Sequence, residues 1–198
     1  MFKPMKYRTP VSSDASDDVK AAIWAGNDVM QSIPTMLISA KSNYGEFGEK
    51  DFKSRYRSLE LSIINGTDRC LHFKDEYFRE GTWFVSPQPL ILEPGAGSIA
   101  FVATKQRGLL TGVGGGLEYL LEGTDFCLYM GFTNPVIGCY KTFIQLEQAK
   151  SAKWAYDNSH NDTVKRHRNH GYFVTCTLRP ALYSPFRKME YTIIKEHD

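Results

Sequence analysis

The chain has 198 residues, with 24 Lys and Arg against 22 Asp and Glu, so its formal net charge is only +2. This balance lacks the basic footprint of a nucleic-acid-binding protein, and 42% hydrophobic with 23% charged residues excludes collagen-like, coiled-coil and wholly disordered chains. Aromatic residues make up 13% of the chain, which suits a β-rich core, a sugar site or a lipid head-group interface. We therefore expect one globular domain over residues 1–198.

Two features bear on membranes and compartment. No uninterrupted apolar stretch reaches the roughly 18 residues that a membrane-spanning helix needs. Residues 1–8 lead into polar residues and not into an apolar segment, which predicts no secretory signal peptide in this chain.

The four cysteines include no Cys-x-x-Cys pair, and we expect them to be buried free thiols.

The first predicted element is an amphipathic helix within residues 16–38. Ser and Asp residues near its start offer N-cap oxygens, and Pro34 ends or kinks it. Apolar residues recur in steps of three, four and seven, which places them on one helical face. The residues of this face are Val19, Ile23, Met30 and Ile33.

Two short basic segments are predicted to be solvated. They span residues 50–57 and 165–168. Charge runs usually form exposed faces, so each is interpreted as an exposed loop or the start of a strand.

From residue 56 to 194 the pattern changes to short β-like segments. Asn65-Gly66 predicts a hairpin turn after a strand at 58–64. Alternation within 126–132 predicts a strand with Phe126, Leu128, Met130 and Phe132 on one face. Further strands are predicted at 98–102, 109–121, 140–147, 171–178 and 188–194, and a second helix near 148–157. The predicted fold class is mainly β, a β-sandwich over 56–194 flanked by two α-helices.

The sequence carries no enzyme signature, and we expect no catalytic residues and no cofactor. It lacks a Gly-x-Ser-x-Gly elbow and a His-Glu-x-x-His motif. The glycine-rich segment 112–116 lacks the Lys-Ser/Thr of a phosphate loop, so it predicts a strand with a bulge or a close backbone approach. His167 and His170 lie among cations, which disfavours metal binding, and no metal site is predicted.

Five segments in order resemble a known family. They are Tyr-Phe-Arg-Glu-Gly-Thr at 77–82, Lys-Gln-Arg-Gly at 105–108, Thr-Gly-Val at 111–113 ahead of Tyr119, Phe-Thr-Asn-Pro at 132–135, and Tyr140. With the amphipathic helix upstream, they resemble the successive signatures of the actinoporins, the pore-forming cytolysins of sea anemones, and of actinoporin-like relatives.

The resemblance implies a β-sandwich with a helix on each side and a function at membranes. In that family a monomer binds lipid through an aromatic-rich region, usually preferring sphingomyelin, then detaches its N-terminal helix and oligomerises into a pore. The resemblance therefore implies a lipid membrane with a phosphocholine or sphingomyelin-type head group as partner, self-association on the membrane, and a secreted or membrane location. The missing signal peptide keeps a cytoplasmic location open.

The resemblance also assigns residues to these steps. The helix face at Val19, Ile23, Met30 and Ile33 corresponds to the pore helix, and Arg79 and Lys105 to subunit contacts or insertion. Phe143 and Ile144 align with residues that contact the membrane. The predicted head-group site comprises Glu80, Gly114, Thr133, Pro135, Tyr140, Trp154 and Tyr156. Glu80 and Gly114 replace a serine and a valine of the family, which predicts an altered head-group specificity.

Two alternative functions remain at this stage. The same architecture is similar to that of fungal fruit-body lectins, so the chain is also interpreted as a glycan-binding module, with glycans as its partner. The other alternative is a non-lytic actinoporin-like protein.

Overall fold

A computed structural model describes residues 49–87, 89–104, 111–162, 164–180 and 187–196, and these form two packed β-sheets. The predicted helix at 16–38 lies outside the described residues, and so does Lys105. In chain order the elements are α1 (Glu49–Ser54), β1 (Ser58–Gly66), β2 (Leu71–Glu80), β3 (Thr82–Val85), β4 (Ile91–Leu92), β5 (Gly97–Ala103), β6 (Val113–Leu121), β7 (Cys127–Asn134), β8 (Lys141–Glu147), α2 (Ala152–Asp157), β9 (Val164–Asn169), β10 (Tyr172–Pro180) and β11 (Arg187–Lys195).

The first sheet has six strands in the order β3-β5-β1-β11-β10-β9. Its centre is the parallel pair β1 and β11, with Leu61 opposite Met189. The hairpin predicted at Asn65-Gly66 is wrong, because β1 pairs with β5 and β11 while β2 belongs to the other sheet. Asn65 is instead buried, and its side-chain amide donates hydrogen bonds to the carbonyls of Arg69 and Leu92 at 2.7 and 2.8 Å.

The second sheet is antiparallel, with five strands in the order β4-β2-β6-β7-β8. The glycine-rich segment runs through β6, as predicted, and the β2–β6 register shifts between Phe78 and Glu80, opposite two of those glycines. The late helix is shorter than predicted. It begins at Ala152, because the Ser151 side chain caps it by accepting the backbone N–H of Trp154 at 3.2 Å.

The main core fills the space between the two sheets. The alternation predicted for 126–132 is confirmed, since Leu128, Met130 and Phe132 of β7 point into this core. Tyr191 of β11 crosses the core, and its hydroxyl donates a hydrogen bond to the carbonyl of Gly131 in the opposite sheet at 2.7 Å. This bond joins the two layers at a fully buried point.

One short helix covers the outer face of each sheet, which confirms a β-sandwich flanked by helices. Phe52 of α1 packs on Ile99 and Phe101 of the first sheet. The segment 50–57 was predicted to be a solvated loop or the start of a strand, and that prediction is wrong for its first half. An apolar ring within the basic run, at Phe52, gives α1 a buried face.

The second basic segment lies within β9, at the edge of the first sheet. Its side chains alternate between exposed and half-buried, as expected for an edge strand whose charges discourage pairing with other chains. Within the part of the chain described above, no helix is both long and apolar enough to span a bilayer.

Candidate functional site

Four neighbouring strands of the second sheet bring one row of residues together at one end of the sandwich. The register pairs Glu80 of β2 with Gly114 of β6, Gly114 with Thr133 of β7, and Thr133 with Lys141 of β8. Directly paired residues project from the same face of an antiparallel sheet. Glu80, Thr133 and Lys141 therefore share the outer face, the one on which α2 packs.

Glycines in this sheet let α2 come close enough to complete the site. A Cβ at Gly116 would lie 1.9 Å from the carbonyl oxygen of Ala152, and a Cβ at Gly131 would lie 2.3 Å from that of Ala155. The predicted close backbone approach is thus confirmed. At Gly114 the neighbour is a side chain, since a Cβ there would lie 3.0 Å from Cε2 of Tyr156.

A cavity of about 510 Å³ opens over this row of residues. Its volume lies within the range of about 300–1,000 Å³ that is typical of small-molecule sites. Strands β2, β6, β7 and β8 supply its floor, the loop between β7 and β8 its rim, and α2 its side wall. The lining residues are Glu80, Val113, Gly114, Thr133, Pro135, Ile137, Gly138, Cys139, Lys141, Tyr156, Asp157 and Ser159.

The Glu80 carboxylate is held in place at one side of the cavity. Its Oε2 accepts a hydrogen bond from the backbone N–H of Gly112 at 2.8 Å. Burial raises the pKa of the Tyr156 hydroxyl; the positive charge of Arg79 opposes this rise, and the negative charge of Glu80 adds to it. Tyr156 is therefore a neutral ring and hydroxyl beside a carboxylate at neutral pH.

The second carboxylate of the cavity is already neutralised by a partner. Asp157 forms an ion pair with Lys153 one turn earlier on α2, at 2.5 Å. The same ammonium group lies 5.6 Å from the centre of the Tyr77 ring, which in turn packs at 5.6 Å against that of Tyr156. Among the described residues that line the cavity, Glu80 and the exposed Lys141 are therefore the opposite charges that it offers to a ligand.

Five of the seven residues predicted for a head-group site line this cavity: Glu80, Gly114, Thr133, Pro135 and Tyr156. The other two do not. Tyr140 is half-buried against the main core, where burial raises the pKa of its hydroxyl. Trp154 packs edge-on against Tyr129 and Phe143 beneath α2.

The predicted membrane contacts at Phe143 and Ile144 are wrong. Phe143 is only 5% exposed, in a cluster with Trp154, and Ile144 is only 1% exposed in the main core. Both faces of β8 are covered, one by α2 and the other by the first sheet. Among the large apolar side chains of the described residues, Ile137 on the cavity rim is the most exposed, at 91%. The sequence indicates this exposure, because Ile137 lies in a turn segment, Asn-Pro-Val-Ile-Gly, and not in a strand that packs on the core.

Arg79 is exposed at the end of β2, beside the cavity but outside its lining. Its predicted role in subunit contacts stays a prediction. Lys105 and the residues of the predicted pore helix, Val19, Ile23, Met30 and Ile33, lie outside the described residues.

Comparison with known proteins shows the fold and not a family. No protein-family model matches the chain, and no curated protein matches it in sequence. Among solved structures, the chain is similar to the lipid binding protein Nakanori, with a TM-score of 0.63. The match covers 92% of this chain and 90% of that chain at 14% sequence identity. A likeness at this identity supports the sandwich architecture, while the resemblance to actinoporins stays a prediction.

Proposed function

We propose that this protein binds membranes by holding a zwitterionic lipid head group of the phosphocholine type in the cavity at the end of the second sheet. The observation that carries the proposal is the cavity itself, in which a carboxylate, an aromatic ring and an ammonium group converge. The similarity in fold to a lipid binding protein agrees with this class of ligand.

The charges of the cavity match the two charges of such a head group. A quaternary ammonium is attracted by a carboxylate and by the face of an aromatic ring, which Glu80 and Tyr156 supply. A phosphate is attracted by an ammonium group, which Lys141 supplies. Thr133, the direct neighbour of Lys141 across the sheet, adds a hydroxyl to the same side of the cavity. A head group that carries a phosphate without a cation would be repelled by the Glu80 carboxylate, so anionic lipids fit the site less well.

Ile137 supplies an apolar contact next to the head-group site. It stands almost fully exposed between Pro135 and Gly138 on the rim. Transfer of such a side chain from water into the acyl boundary of a bilayer contributes about 1.5–3 kcal/mol. We assign the membrane contact to this loop in place of Phe143 and Ile144.

Pore formation is the finer part of the proposal. It rests on the resemblance and on the amphipathic pattern at 16–38, which suits a helix lying in the bilayer interface. Several copies are then required, because the polar face of one helix is not satisfied in lipid. Arg79, exposed beside the cavity, is the described residue that we assign to contacts between copies.

The test is sedimentation of the full chain with vesicles of three compositions: phosphatidylcholine with sphingomyelin, phosphatidylcholine alone, and phosphatidylglycerol alone. We expect binding to the vesicles with choline head groups. Glu80→Gln is expected to weaken that binding by about tenfold, the equivalent of 1.4 kcal/mol, since it removes one charge contact. Ile137→Ser is expected to weaken binding to every vesicle type.

The matched control is Asp125→Asn, the same change of charge on an exposed residue at the opposite end of the sheet, in the β6–β7 turn. Its binding should equal that of the wild type. Equal losses in Glu80→Gln and Asp125→Asn would show a bulk charge effect and overturn the site. Retention on immobilised glycans without binding to any vesicle would replace the proposal by the lectin alternative. Binding without release of entrapped dye would leave head-group recognition in place and remove the pore step.

A further inference from the structure

A second cluster of reactive side chains lies at the other end of the same sheet. The register pairs Leu71 at the start of β2 with Leu92 at the end of β4 and with Leu121 at the end of β6. Because the strands are antiparallel, Cys70, which precedes Leu71, lies next to Glu93 and Glu122, which follow Leu92 and Leu121. The backbone N–H of Glu122 donates to the Cys70 carbonyl at 2.9 Å.

His72 joins this cluster because residues two apart on a strand project from the same side. Its Nε2 lies 3.6 Å from Oε1 of Glu122, and the Cys70 thiol donates to Oε2 of Glu93 at 3.2 Å. The ligand atoms of Cys70, His72 and Glu122 all lie within 4.8 Å of one another. The thiol, the imidazole and the Glu122 carboxylate therefore lie around one point, and the Glu93 carboxylate lies against the thiol.

Two of the ligand-atom separations are close to those that a tetrahedral zinc ion imposes, and the others among Cys70, His72 and Glu122 are no longer than 4.8 Å. Zn–S bonds of about 2.3 Å and Zn–N or Zn–O bonds of about 2.0 Å place neighbouring ligand atoms about 3.3–3.5 Å apart. The two pair distances, 3.2 and 3.6 Å, bracket this range. His72 and Glu122 are 34% and 55% exposed, so an ion can reach them from solvent.

We propose that Cys70, His72, Glu93 and Glu122 form a binding site for one zinc-like divalent cation. On binding, the Cys70 thiol releases its proton to solvent and the thiolate sulfur bonds the ion, while His72 donates the lone pair of Nε2 in its neutral form. The two carboxylates complete four ligands and leave a site with a net charge of −1.

The ion would tie together three connections at one end of the sandwich. Cys70 belongs to the β1–β2 connection, Glu93 to β4–β5 and Glu122 to β6–β7. A ligand that binds the folded chain alone raises its stability, so the site would act as a metal-dependent staple. The head-group cavity lies at the opposite ends of β2 and β6, and neither proposal depends on the other.

Calorimetric titration of the metal-free full chain with Zn²⁺ alone tests the site, with Co²⁺ as a spectroscopic probe. We expect one ion per chain and a thiolate-to-cobalt charge-transfer band. Cys70→Ser and Glu122→Gln should each weaken Zn²⁺ binding by at least about tenfold, because even outer partners of metal sites contribute that much. The melting temperature of the wild type should rise with Zn²⁺, and that of Cys70→Ser should not.

Cys139→Ser is the matched control, since Cys139 is an exposed thiol that lies outside the cluster. It should bind Zn²⁺ like the wild type. Near-ultraviolet circular dichroism verifies that each variant is folded, and His72→Gln replaces any variant that is not. Absence of wild-type binding at millimolar Zn²⁺, equal binding by Cys70→Ser, or a cobalt spectrum without the thiolate band would each overturn the site.

Discussion

At the scale of single residues, the four cysteines differ by what surrounds each sulfur. Cys127 and Cys176 are buried, as predicted for free thiols, and burial raises their pKa to about 11 and about 12. Cys70 is half-exposed, yet its hydrogen bond to the Glu93 carboxylate leads the rise of its pKa to about 11. Cys139 is exposed on the cavity rim. Thiolate is the reactive form of cysteine, so the exposure of each sulfur and the charges around it together determine the order in which the four cysteines react.

We expect a maleimide reagent at pH 7.5 to label Cys139 first. The other three thiols should react far more slowly in the metal-free protein, because they are buried or held protonated by neighbouring carboxylates. Mass spectrometry of tryptic peptides over time measures the order. In Cys139→Ser the fast phase should disappear, and fast labelling of Cys70 in that variant would contradict the assignment. Because Cys139 lines the cavity, the labelled wild type should also lose vesicle binding.

At the scale of elements, the site exists because α2 lies directly on bare backbone. The helix has only six residues, too few to be stable alone, so its position comes from contacts with β6 and β7. The contacts require Gly116 and Gly131, where any side chain would overlap the carbonyls of Ala152 and Ala155. Gly114 differs, since its neighbour is the movable ring edge of Tyr156.

Two alanine substitutions separate the roles of these glycines. Gly116→Ala is expected to lower the free energy of unfolding by about 3 kcal/mol, the upper range for overpacking, because a backbone carbonyl cannot move aside cheaply. Gly114→Ala should cost less than about 1 kcal/mol in stability, but it should displace Tyr156 and weaken vesicle binding. Urea unfolding and vesicle sedimentation measure the two effects. Equal stability losses in both variants would show that α2 is not docked as described.

The sequence predicted those parts of the fold that depend on a local pattern of residues. The alternation in 126–132 predicted both faces of β7, and the glycines of 112–116 predicted the close approach that α2 makes. The hairpin predicted at Asn65-Gly66 was wrong because β1 pairs with β5 and β11 and not with the next strand, β2, and no local signal encodes these distant pairings. The prediction of membrane contacts at Phe143 and Ile144 was wrong because the resemblance transfers a position along the chain but not its burial. Burial at these positions depends on α2 on one side of β8 and on the first sheet on the other.

The cavity residues were predicted by resemblance, and the metal cluster was not predicted at all. Glu80, Gly114 and Thr133 came from motif positions, and only the register shows that they are direct neighbours across the sheet. The four residues of the proposed metal site are spread from 70 to 122 with no ligand spacing, so pairing of three strands was needed to find them.

At the scale of the whole molecule, the two sheets are held together by the core and by buried hydrogen bonds, among them that of the Tyr191 hydroxyl to the Gly131 carbonyl. The Tyr191 hydroxyl is fully buried, and burial raises its pKa well above the usual value near 10. Burial likewise raises the pKa of Tyr129, under α2, to about 12. Both phenols therefore stay protonated in the folded chain at a pH where the unfolded chain has begun to ionise.

Alkaline pH is therefore expected to unfold this protein in a way that depends on Tyr191. The stabilising contribution is complete below pH 10, where the phenol is protonated in both states, and it is lost as pH rises from there toward the folded-state pKa. Above pH 10 each such phenol steepens the fall in the free energy of unfolding by up to about 1.4 kcal/mol per pH unit.

The variant Tyr191→Phe isolates this contribution. It should lose about 1 kcal/mol of stability near pH 8, because the hydrogen bond to Gly131 that joins the sheets is missing. Between pH 10 and 12 its stability should fall less steeply than that of the wild type, so that the two curves converge. Urea unfolding followed by far-ultraviolet circular dichroism at a series of pH values measures both curves. Parallel curves over this range would mean that the phenol ionises equally in both states, and that the contact between the sheets at Tyr191 is open to water.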